Sequence, residues 1–293
     1  MLQQWFGWPR FQTLRSQSTQ EPIGLLAGAG RFPIRIAEKA KSLGIPVVCV
    51  AVRNMASPEL EALSDRFYWT GLGKLGYSIR CFVREQVPRF TMAGKFHKVE
   101  LMKPLMMLHH LPDWRAIRFW INRNRQDNRD DALLLGLIDE FERDGVRCVS
   151  ALELCPELLV RTGILTKRAP SESELADIEF GWNLAKEMGR LDVGQSVMIR
   201  NRAVLAVEAI EGTDLAIRRA GELCKKAPFV VVKVAKPQQD LRFDMPTIGT
   251  TTIESMHAVG GKVLAIEAGM TIILDESETI ALADQYGISI VAR

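Results

Sequence analysis

The chain has 293 residues, 47% of them hydrophobic and 25% charged, which indicates an ordinary soluble globular protein that is long enough for two domains. Its formal net charge is +3, but residues 1–131 carry a net +9 and residues 132–293 a net −6, so the first part is the better candidate for contact with anionic partners. The five scattered cysteines form no Cys-x-x-Cys pair, which argues against a zinc site and for a reduced, cytosolic protein, and no apolar run approaches the roughly 20 residues that span a bilayer.

The first 20 residues contain two arginines and no acidic residue. They lack the continuous apolar core and the small-residue cleavage site of a secretory signal. We expect a disordered extension or an upstream start rather than a transit peptide, which the composition also permits.

The first compact region opens with a short apolar strand and a glycine-rich turn, Ile23–Pro33. A helical pattern then runs to Leu43, with Pro33 in its first turn and Gly44 just past its end. A strand over residues 46–51 completes a βαβ unit. The glycine loop follows the carboxyl end of the first strand, where a doubly wound sheet binds its ligands.

This loop does not have the full pattern of a dinucleotide site. It contains Gly28 and Gly30 but no third glycine, and Arg53 follows the second strand where that pattern has an acidic residue. An NAD site is therefore not favoured. Two alternatives remain: a nucleotide or phosphate site with Arg31 and Arg53 nearby, or a simple tight turn. A strand over 67–70, a helix over 74–86 and a strand over 90–93 continue the alternation.

The sequence therefore predicts the α/β fold class, with two domains. An N-terminal Rossmann-like βαβ domain is expected over residues 21–150, with a strong helix over 130–144, followed by a linker over 151–168. A C-terminal mixed α/β catalytic domain is expected over 169–293. The elements predicted for it are helices over 174–188 and 215–226, a hairpin of strands 196–200 and 203–207, strands over 229–232, 263–266, 271–274 and 288–291, and a helix that ends at residue 285.

From residue 99 the chain becomes rich in Met, Trp and Arg. The run 101–108 holds several methionines, which suit an adaptable apolar surface, and the basic amphipathic segment 114–125 can lie in a membrane interface. Packing over the domain core is the alternative. Two tryptophans and four arginines of that segment carry the membrane interpretation: Trp114, Trp120, Arg115, Arg118, Arg123 and Arg125.

The most polar stretch runs from Lys233 to Gly249 and directly follows an apolar strand. In an extended chain Asp240 and Asp244 face the same way, with Arg242 between them, and two acids on one face suit a hard divalent cation. Gly249 and the three threonines after it predict a turn and a helix start, where free amides favour phosphate. A solvated, charge-balanced loop is the alternative.

A second group of acids lies near the end of the hairpin. Glu211 and Asp214 stand at a strand-to-helix junction, where metal and phosphate sites are often found. Helix capping accounts equally well for Asp214, and Thr213 is the predicted cap of the helix that follows. There is no Gly-x-Ser-x-Gly, no His-Glu-x-x-His and no Walker loop, and the four histidines do not cluster. The acidic residues are therefore the remaining candidates for catalysis.

Five sequence blocks, together with their order along the chain, resemble those of a known protein family. From Ile23 to Val291 the sequence is similar to the UDP-2,3-diacylglucosamine pyrophosphatase family of lipid A biosynthesis, the type that lacks metallophosphoesterase motifs. The blocks are Ile23–Pro33, Asp130–Leu134, Gly189–Gln195, Leu205–Asp214 and Lys236–Gly249.

The resemblance implies two domains with the lipid substrate between them, and a Mg²⁺-dependent hydrolase. Since the available ligands are oxygens, we expect that Mn²⁺ can replace Mg²⁺. The hydrolase would split UDP-2,3-diacylglucosamine into UMP and 2,3-diacylglucosamine 1-phosphate, lipid X. The family's catalytic aspartate matches Asp244. Beside it we expect catalytic roles for Asp240 and Arg242, metal ligation by Asp244, Asp214 and Glu211, and substrate binding by Gly28, Gly30, Arg31, Lys74, Lys236, Gln239, Thr213 and Thr247.

The expected partners are this substrate and the cytoplasmic face of the inner membrane, with peripheral attachment. A homodimer is a further expectation, and no nucleic-acid partner is expected. Two rival interpretations stay open. One is a nucleotide-sugar-binding oxidoreductase that uses the glycine loop, and the other is a non-catalytic lipid-binding protein.

Overall fold

The computed structural model describes residues 20–95, 111–123 and 130–293. Nearly all of the predicted N-terminal extension, the Met-rich run 101–108, Arg125 and the side chain of Arg123 lie outside the described residues. Within these ranges, none of the helices combines the length and the apolar character that crossing a bilayer requires.

The N-terminal domain is built on a five-stranded parallel sheet. Its strands are β1 (Ile23–Ala27), β2 (Val47–Val52), β3 (Arg66–Thr70), β4 (Arg89–Ala93) and β5 (Arg147–Cys148). They lie in the order β3-β2-β1-β4-β5, and every neighbouring pair is parallel. The accompanying helices are α1 (Phe32–Ser42), α2 (Leu60–Leu63), α3 (Leu75–Arg84), α4 (Trp114–Arg123) and α5 (Asp130–Glu142).

Both faces of this sheet are covered. Side chains alternate along a strand, so Leu25 contributes to a core with α1 and α2, and its neighbour Leu26 packs on a core with α3, α4 and α5. Strand β2 alternates in the same way and is buried along its whole length. This arrangement is typical of a doubly wound domain. The predicted α/β class and Rossmann-like topology are confirmed.

The C-terminal domain has a mixed six-stranded sheet. Its strands are β6 (Gly163–Ile164), β7 (Ser196–Arg200), β8 (Ala203–Val207), β9 (Phe229–Lys233), β11 (Gly261–Ile266) and β13 (Ser289–Ala292). A separate two-stranded ladder joins β10 (Thr247–Ile248) to β12 (Ile272–Ile273). The order is β6-β13-β11-β9-β7-β8, with β9, β11 and β13 parallel and the others antiparallel to their neighbours. The helices are α6 (Glu172–Arg190), α7 (Thr213–Leu223), α8 (Thr250–Val259) and α9 (Glu276–Tyr286).

Strand β9 is the centre of this sheet, and all five of its residues are buried. One face packs on α6 and the other on α7, α8 and α9. Helix α6 lies so close that a Cβ on Gly181 would be 2.8 Å from the Val232 side chain. The helix begins with a capping box between Ser171 and Glu174, which satisfies amides that the first turn leaves free. An apolar strand between two helical layers therefore brings Lys233 to the carboxyl edge of the sheet.

The segment predicted as a linker is packed rather than free. Ala151, Leu154 and Cys155 belong to the N-terminal core, Val160 belongs to the C-terminal core, and β6 pairs with β13. The chain therefore passes from one core to the other just before Val160.

Salt bridges connect the two domains near the carboxyl edge of the N-terminal sheet. Arg31 and Arg35 lie 3.0 and 2.5 Å from the carboxylate of Asp275, whose side chain is only 8% exposed. Lys95, which follows β4, lies 3.7 Å from Asp214 of α7. The two domains thus contact each other through the loops that carry several of the predicted site residues.

Candidate active site

A buried lysine lies at the centre of the candidate site. Lys233 ends β9 and is 6% exposed. Its Nζ donates to Thr213 Oγ1 at 3.2 Å and to the carbonyl oxygen of Thr247 at 3.1 Å. The backbone of β9 places Lys233 opposite Ser196 of β7. A cation is therefore held at the carboxyl end of the central strand, where parallel strands present functional groups.

The hydroxyl of Thr213 links this lysine to a buried acid. Thr213 Oγ1 donates to Glu208 Oε1 at 2.9 Å and lies 3.3 Å from the hydroxyl of Ser196. Glu208 is 8% exposed, and its Oε2 has no hydrogen-bond partner within the described ranges. Gly194 permits this packing, because a Cβ there would lie 2.1 Å from the Glu208 carbonyl oxygen. We call Lys233, Thr213, Glu208, Asp214 and Asp244 the lysine cluster.

Asp214 and Asp244 belong to this cluster through their charges. Burial lowers the pKa of Lys233, and the carboxylates of Glu208, Asp214 and Asp244 act in the opposite direction. The charge of Lys95 also lowers this pKa. Asp214 and Asp244, two of the predicted metal ligands, lie 30 residues apart in the sequence. The fold brings both close enough for their charges to act on the Lys233 amine.

The segment around Asp240 is folded into a turn, so the expectation of an extended chain is wrong. The amide of Asp244 donates to the carbonyl of Asp240 at 3.0 Å. The Asp240 carboxylate accepts from Arg242 Nη2 at 2.7 Å and from the Arg242 amide at 2.9 Å. These bonds with Arg242 lower the pKa of Asp240. The Asp240 carboxylate is therefore engaged by Arg242, because a close turn brings the two side chains together.

The same turn docks on the N-terminal domain. The hydroxyl of Ser150 donates to the carbonyl of Leu241 at 2.8 Å, and Phe243 packs against the core beneath α3 and α5. Arg242 Nη1 lies 3.6 Å from Glu142 of α5. The loop that carries Asp244 is therefore held by both domains.

Lys236 and Gln239 hold the backbone of this loop in place. Lys236 Nζ lies 2.6 Å from Asp192, and the Lys236 amide donates to Gln239 Oε1 at 2.9 Å. Gln239 Nε2 donates to Gln195 Oε1 at 3.4 Å. The structure thus places these two predicted substrate-binding residues in a network that joins the loop to the chain between α6 and β7.

The glycine turn lies beside Lys95. The Gly28 amide donates to Ala93 at 2.8 Å, and Ala29 forms an antiparallel bridge with Lys95. Gly30 and Gly94 have φ values of +98° and +91°, and a Cβ on Gly94 would lie 2.6 Å from the Ala29 carbonyl oxygen. Positive φ and this close contact both favour glycine. The turn is therefore adjacent to the loop that reaches Asp214.

Other predicted residues lie apart from the lysine cluster. Arg31 pairs with Asp275, as described above, and Lys74 lines a separate cavity in the N-terminal domain. Glu211 contacts Arg219 at 2.8 Å and the Ala209 amide at 3.2 Å. The structure thus does not bring Glu211 together with Asp214 and Asp244. In the described part of the chain, no group of three or more His, Cys, Asp or Glu side chains is arranged to hold a metal ion.

The predicted cap of α7 is wrong. The helix begins at Thr213 itself, after Gly212 with φ +83°. The Thr213 side chain turns to Glu208 and Lys233 instead of the helix amides, because those buried partners need its hydroxyl. Thr247 contributes its carbonyl oxygen to Lys233, while its own hydroxyl donates to Met245.

Sequence reasoning missed the roles of Lys233, Glu208 and Lys95. The sequence does contain a signal for Lys233, because this residue directly follows the apolar run Phe229–Val232 at the end of a strand. Glu208 directly follows β8, but that strand is largely exposed and gives no such signal. A charged residue immediately after a fully buried strand is a candidate for the carboxyl edge of a sheet.

Comparison with known proteins gives matches over both domains. The model described as the LpxI N-terminal domain matches residues 22–158, and the one described as the LpxI C-terminal domain matches residues 161–291. The protein named UDP-2,3-diacylglucosamine pyrophosphatase LpxI from Caulobacter vibrioides is 32% identical over 277 residues, which cover 92% of this chain and 96% of that protein.

Weaker similarities were also found. The bifunctional purine biosynthesis protein PurH of Roseobacter denitrificans is 26% identical over 141 residues, covering 44% of this chain and only 24% of that protein. A biotin carboxylase subunit of pyruvate carboxylase aligns with a TM-score of 0.21 and 17% identity, over 64% of this chain and 36% of that one. Neither of these two similarities adds to what the matches over both domains show.

The matches over both domains confirm the resemblance predicted from the five sequence blocks, and the chain belongs to the LpxI family of UDP-2,3-diacylglucosamine pyrophosphatases.

Proposed function

We propose that this protein hydrolyses the pyrophosphate bond of UDP-2,3-diacylglucosamine and releases UMP and 2,3-diacylglucosamine 1-phosphate. The name of the Caulobacter relative, which aligns over 92% of the chain, supports this substrate. The observation that carries the chemistry is the buried Lys233 amine, which is held by Thr213 and lies within reach of the charges of Asp214 and Asp244.

The cations of the site match the charge that develops during this reaction. Attack on a pyrophosphate places negative charge on phosphoryl oxygens, and fixed positive groups in a dry site stabilise it. Lys233 supplies such a buried group from the C-terminal domain. Lys95 of the N-terminal domain, whose side chain is 72% exposed, adds a second positive charge beside Asp214 that water screens. In addition, the N-cap of α7 is Gly212, which has no side chain to cap the first amides of the helix, and free amides add partial positive charge.

Asp244 is the proposed general base. As the oxygen of a water molecule bonds to phosphorus and the bridging P–O bond breaks, Asp244 accepts the proton of that water. Glu208 has a positioning role, because it accepts a hydrogen bond from the Thr213 hydroxyl and so directs the oxygen lone pairs of Thr213 toward Lys233. Its own carboxylate also opposes the effect of burial on the Lys233 pKa.

A Mg²⁺ ion is part of the proposal, with Mn²⁺ as a substitute. Mg²⁺ takes oxygen ligands and is commonly bound by one or two carboxylates together with substrate phosphates and water. Asp244 and Asp214 are the residues that would hold it, because Mg²⁺ needs only one or two protein carboxylates and the described residues contain no larger acidic group arranged for a metal ion. In the same cluster, Glu208 Oε2 is a buried carboxylate oxygen that has no hydrogen-bond partner within the described ranges and is open to a further polar partner. The ion would neutralise charge on the phosphates.

The activity test measures UMP directly. The protein is incubated with UDP-2,3-diacylglucosamine and Mg²⁺, and UMP and the lipid phosphate are followed by chromatography and phosphorus NMR. We expect both products in equal amounts, and a release of UMP that is about 10³-fold slower or more with Asp244→Ala. If the folded wild-type protein releases no UMP above the buffer control, the proposal is wrong.

We further propose that α4 attaches the protein peripherally to the cytoplasmic face of the inner membrane. Trp114, Trp120 and Ile121 are 77%, 57% and 64% exposed, and Arg118 is exposed beside them. Exposed aromatic and basic side chains of this kind suit a membrane interface.

One of the arginines predicted to contact lipid has a different role. Arg115 Nε lies 2.7 Å from Glu140 Oε2, and its Nη1 lies 2.5 Å from Asp144 Oδ2. Arg115 Nη2 also donates to the Glu140 carbonyl at 2.7 Å. Arg115 therefore anchors α4 on α5, and its charge is not available to an anionic surface.

A further inference from the structure

An ion pair outside the lysine cluster holds the start of the loop that carries Asp244. Lys186 of α6 has its Nζ 2.7 and 2.6 Å from the two carboxylate oxygens of Glu267. Glu267 directly follows β11, whose last residue, Ile266, is paired with Lys233. The ion pair therefore connects α6 with the edge of the sheet at which Lys233 lies.

Both members of the pair also bind the backbone of Ala235. The Ala235 amide donates to Glu267 Oε2 at 2.8 Å, and the Ala235 carbonyl accepts from Lys186 Nζ at 3.2 Å. Ala235 is buried, and a buried backbone group that loses its partner destabilises the structure around it. Two side chains thus satisfy both polar groups of a residue that lies just beyond the end of β9.

Ala235 lies between two groups that the proposed chemistry uses. It is two residues after Lys233, and it begins the segment 235–246, which we call the Asp244 loop. The chain returns to Lys233 at Thr247, whose carbonyl accepts from the lysine Nζ at 3.1 Å. A shift of the Ala235 backbone would therefore move the Asp244 loop relative to the buried amine.

The last turn of α6 supports the Asp244 loop at two further points. A Cβ on Gly189 would be 3.3 Å from the Cα of Lys236, so the helix passes close to the loop backbone. Gln238 Nε2 donates to the Gly189 carbonyl at 3.0 Å. Leu241 and Phe243, by contrast, contact the N-terminal domain. The contacts with α6 therefore contribute to fixing the loop relative to the C-terminal sheet.

The pair is sheltered enough to act as a fixed contact. Both side chains, those of Lys186 and Glu267, are half-buried, so water screens their attraction less than it screens that of a surface pair. Each charge also takes part in a hydrogen bond with the backbone of Ala235, and hydrogen bonds to charged groups are among the stronger ones. Loss of either side chain would therefore loosen the start of the loop.

We propose that Lys186 and Glu267 are positioning residues for the hydrolysis. They fix the backbone of Ala235 and thereby hold the Asp244 carboxylate in the place, relative to the Lys233 amine, that attack on phosphorus requires. This role rests on the proposed function, because it acts through two groups assigned to that reaction. Neither positioning residue contacts the substrate in this proposal.

The kinetic test compares Lys186→Met with wild type, as full-length proteins, by UMP release over a range of substrate concentrations. The variant should lower kcat by about 10- to 100-fold, the scale of misplacing a catalytic group by about 1 Å, and should leave KM within about twofold. A folded variant with kcat within about threefold of wild type, or with its loss confined to KM, would overturn the proposal. If Lys186→Met does not fold, Glu267→Gln, which removes the charge and keeps the shape, should lose about tenfold in kcat and decides the matter.

Coupling to Asp244 is a measurement that a purely structural role would not affect. In an Asp244→Ala background, Lys186→Met should lower the residual rate by less than about threefold, because the carboxylate that it positions is already absent. Equal losses in the two backgrounds would mean that Lys186 acts independently of Asp244, and the positioning role would be wrong.

Arg168→Met is the matched control. Arg168 Nη2 lies 2.7 Å from Glu174 of the same helix, α6, and the two side chains are 35% and 16% exposed, against 31% and 19% for Lys186 and Glu267. Arg168 also donates to a backbone carbonyl, that of Lys262. This variant breaks a similar pair at the other end of the helix, so it should keep the kcat of wild type.

Hydrogen exchange separates this proposal from the proposed function, because it needs no turnover. Followed by mass spectrometry without substrate, exchange in residues 234–246 should be about tenfold faster in Lys186→Met than in wild type, the equivalent of losing one hydrogen bond. It should be unchanged in Arg168→Met. Faster exchange in Lys186→Met, with no UMP released by wild type, would show that the pair holds the loop and that the hydrolase assignment is wrong. Normal hydrolysis and unchanged exchange in Lys186→Met would leave the hydrolase in place and exclude the positioning role.

Discussion

Replacing Lys233 with methionine should lower kcat for UMP release by about 10²- to 10³-fold. Methionine has a similar length and no charge, so the change removes the amine with little change in shape. The lost contacts are the hydrogen bonds from Nζ to Thr213 Oγ1 at 3.2 Å and to the Thr247 carbonyl at 3.1 Å. The lysine cluster would then present its carboxylates without the central cation.

The magnitude follows from the burial of this amine. Lys233 is 6% exposed, so water screens its charge weakly and its contribution to a developing phosphate charge is large. Removal of one fixed electrostatic group from such a site costs about 2.7 to 4 kcal/mol in the activation free energy. Each 1.36 kcal/mol is about a factor of ten in rate, which gives the expected loss.

The assay is steady-state UMP release over a range of substrate concentrations, with circular dichroism and thermal unfolding as folding controls. Lys262→Met is the matched control. This half-buried lysine near the start of β11 also donates to a carbonyl, that of Tyr286 at 3.1 Å, but it lies outside the lysine cluster. A folded Lys233→Met protein with kcat within about fivefold of wild type, well inside the expected loss, would refute the role of this amine.

Two further predictions concern the hydrolysis, and a third concerns the membrane attachment. Asp244→Ala should keep its fold and lose about 10³-fold or more in rate, and a folded variant within about tenfold of wild type would exclude the assignment. Excess EDTA should abolish UMP release and Mg²⁺ or Mn²⁺ should restore it, because the candidate ligands are oxygens; full activity in EDTA would remove the metal from the mechanism. Changing Trp114 and Trp120 to serine and Arg118 to glutamate should weaken sedimentation with anionic vesicles, as high salt should, whereas unchanged sedimentation would mean that the outer face of α4 does not contact lipid.

Local signals predicted most of the fold. The hairpin bounds 196–200 and 203–207 agree with the structure, because two residues with positive φ, Asn201 and Arg202, close a turn that the sequence places between two apolar runs. Helix α6 begins two residues earlier than predicted, where Ser171 and Glu174 form a capping box. Periodicity and capping act within a few residues, so the sequence alone reveals them.

The candidate site depends on contacts between distant residues, and these were not predicted. Thr213 lies 20 positions before Lys233 in the chain, and only the register of β7, β8 and β9 brings the two together. A threonine before a helix satisfies the capping pattern equally well, so the pattern could not distinguish a cap from a buried hydroxyl. The sequence predicts an extended chain at Asp240, since Pro237 and Pro246 on either side of it disfavour a helix, but a turn accommodates both prolines as well.

Lys233 should also make folding stability depend on pH. Burial lowers the pKa of its folded-state amine below the ordinary value of 10.5, whereas the amine of the unfolded chain keeps that value. Between the two pKa values the unfolded chain binds more protons than the folded chain, so the free energy of unfolding rises with pH across this window. Lys233→Met lacks this titration. We therefore measure the unfolding free energy of both proteins in urea. The value for wild type minus the value for Lys233→Met should be larger at about pH 10 than at about pH 8. If the difference stays constant, the cluster acids balance the effect of burial on this pKa, and if it moves the other way they outweigh it; in both cases the folded protein does not lower the pKa.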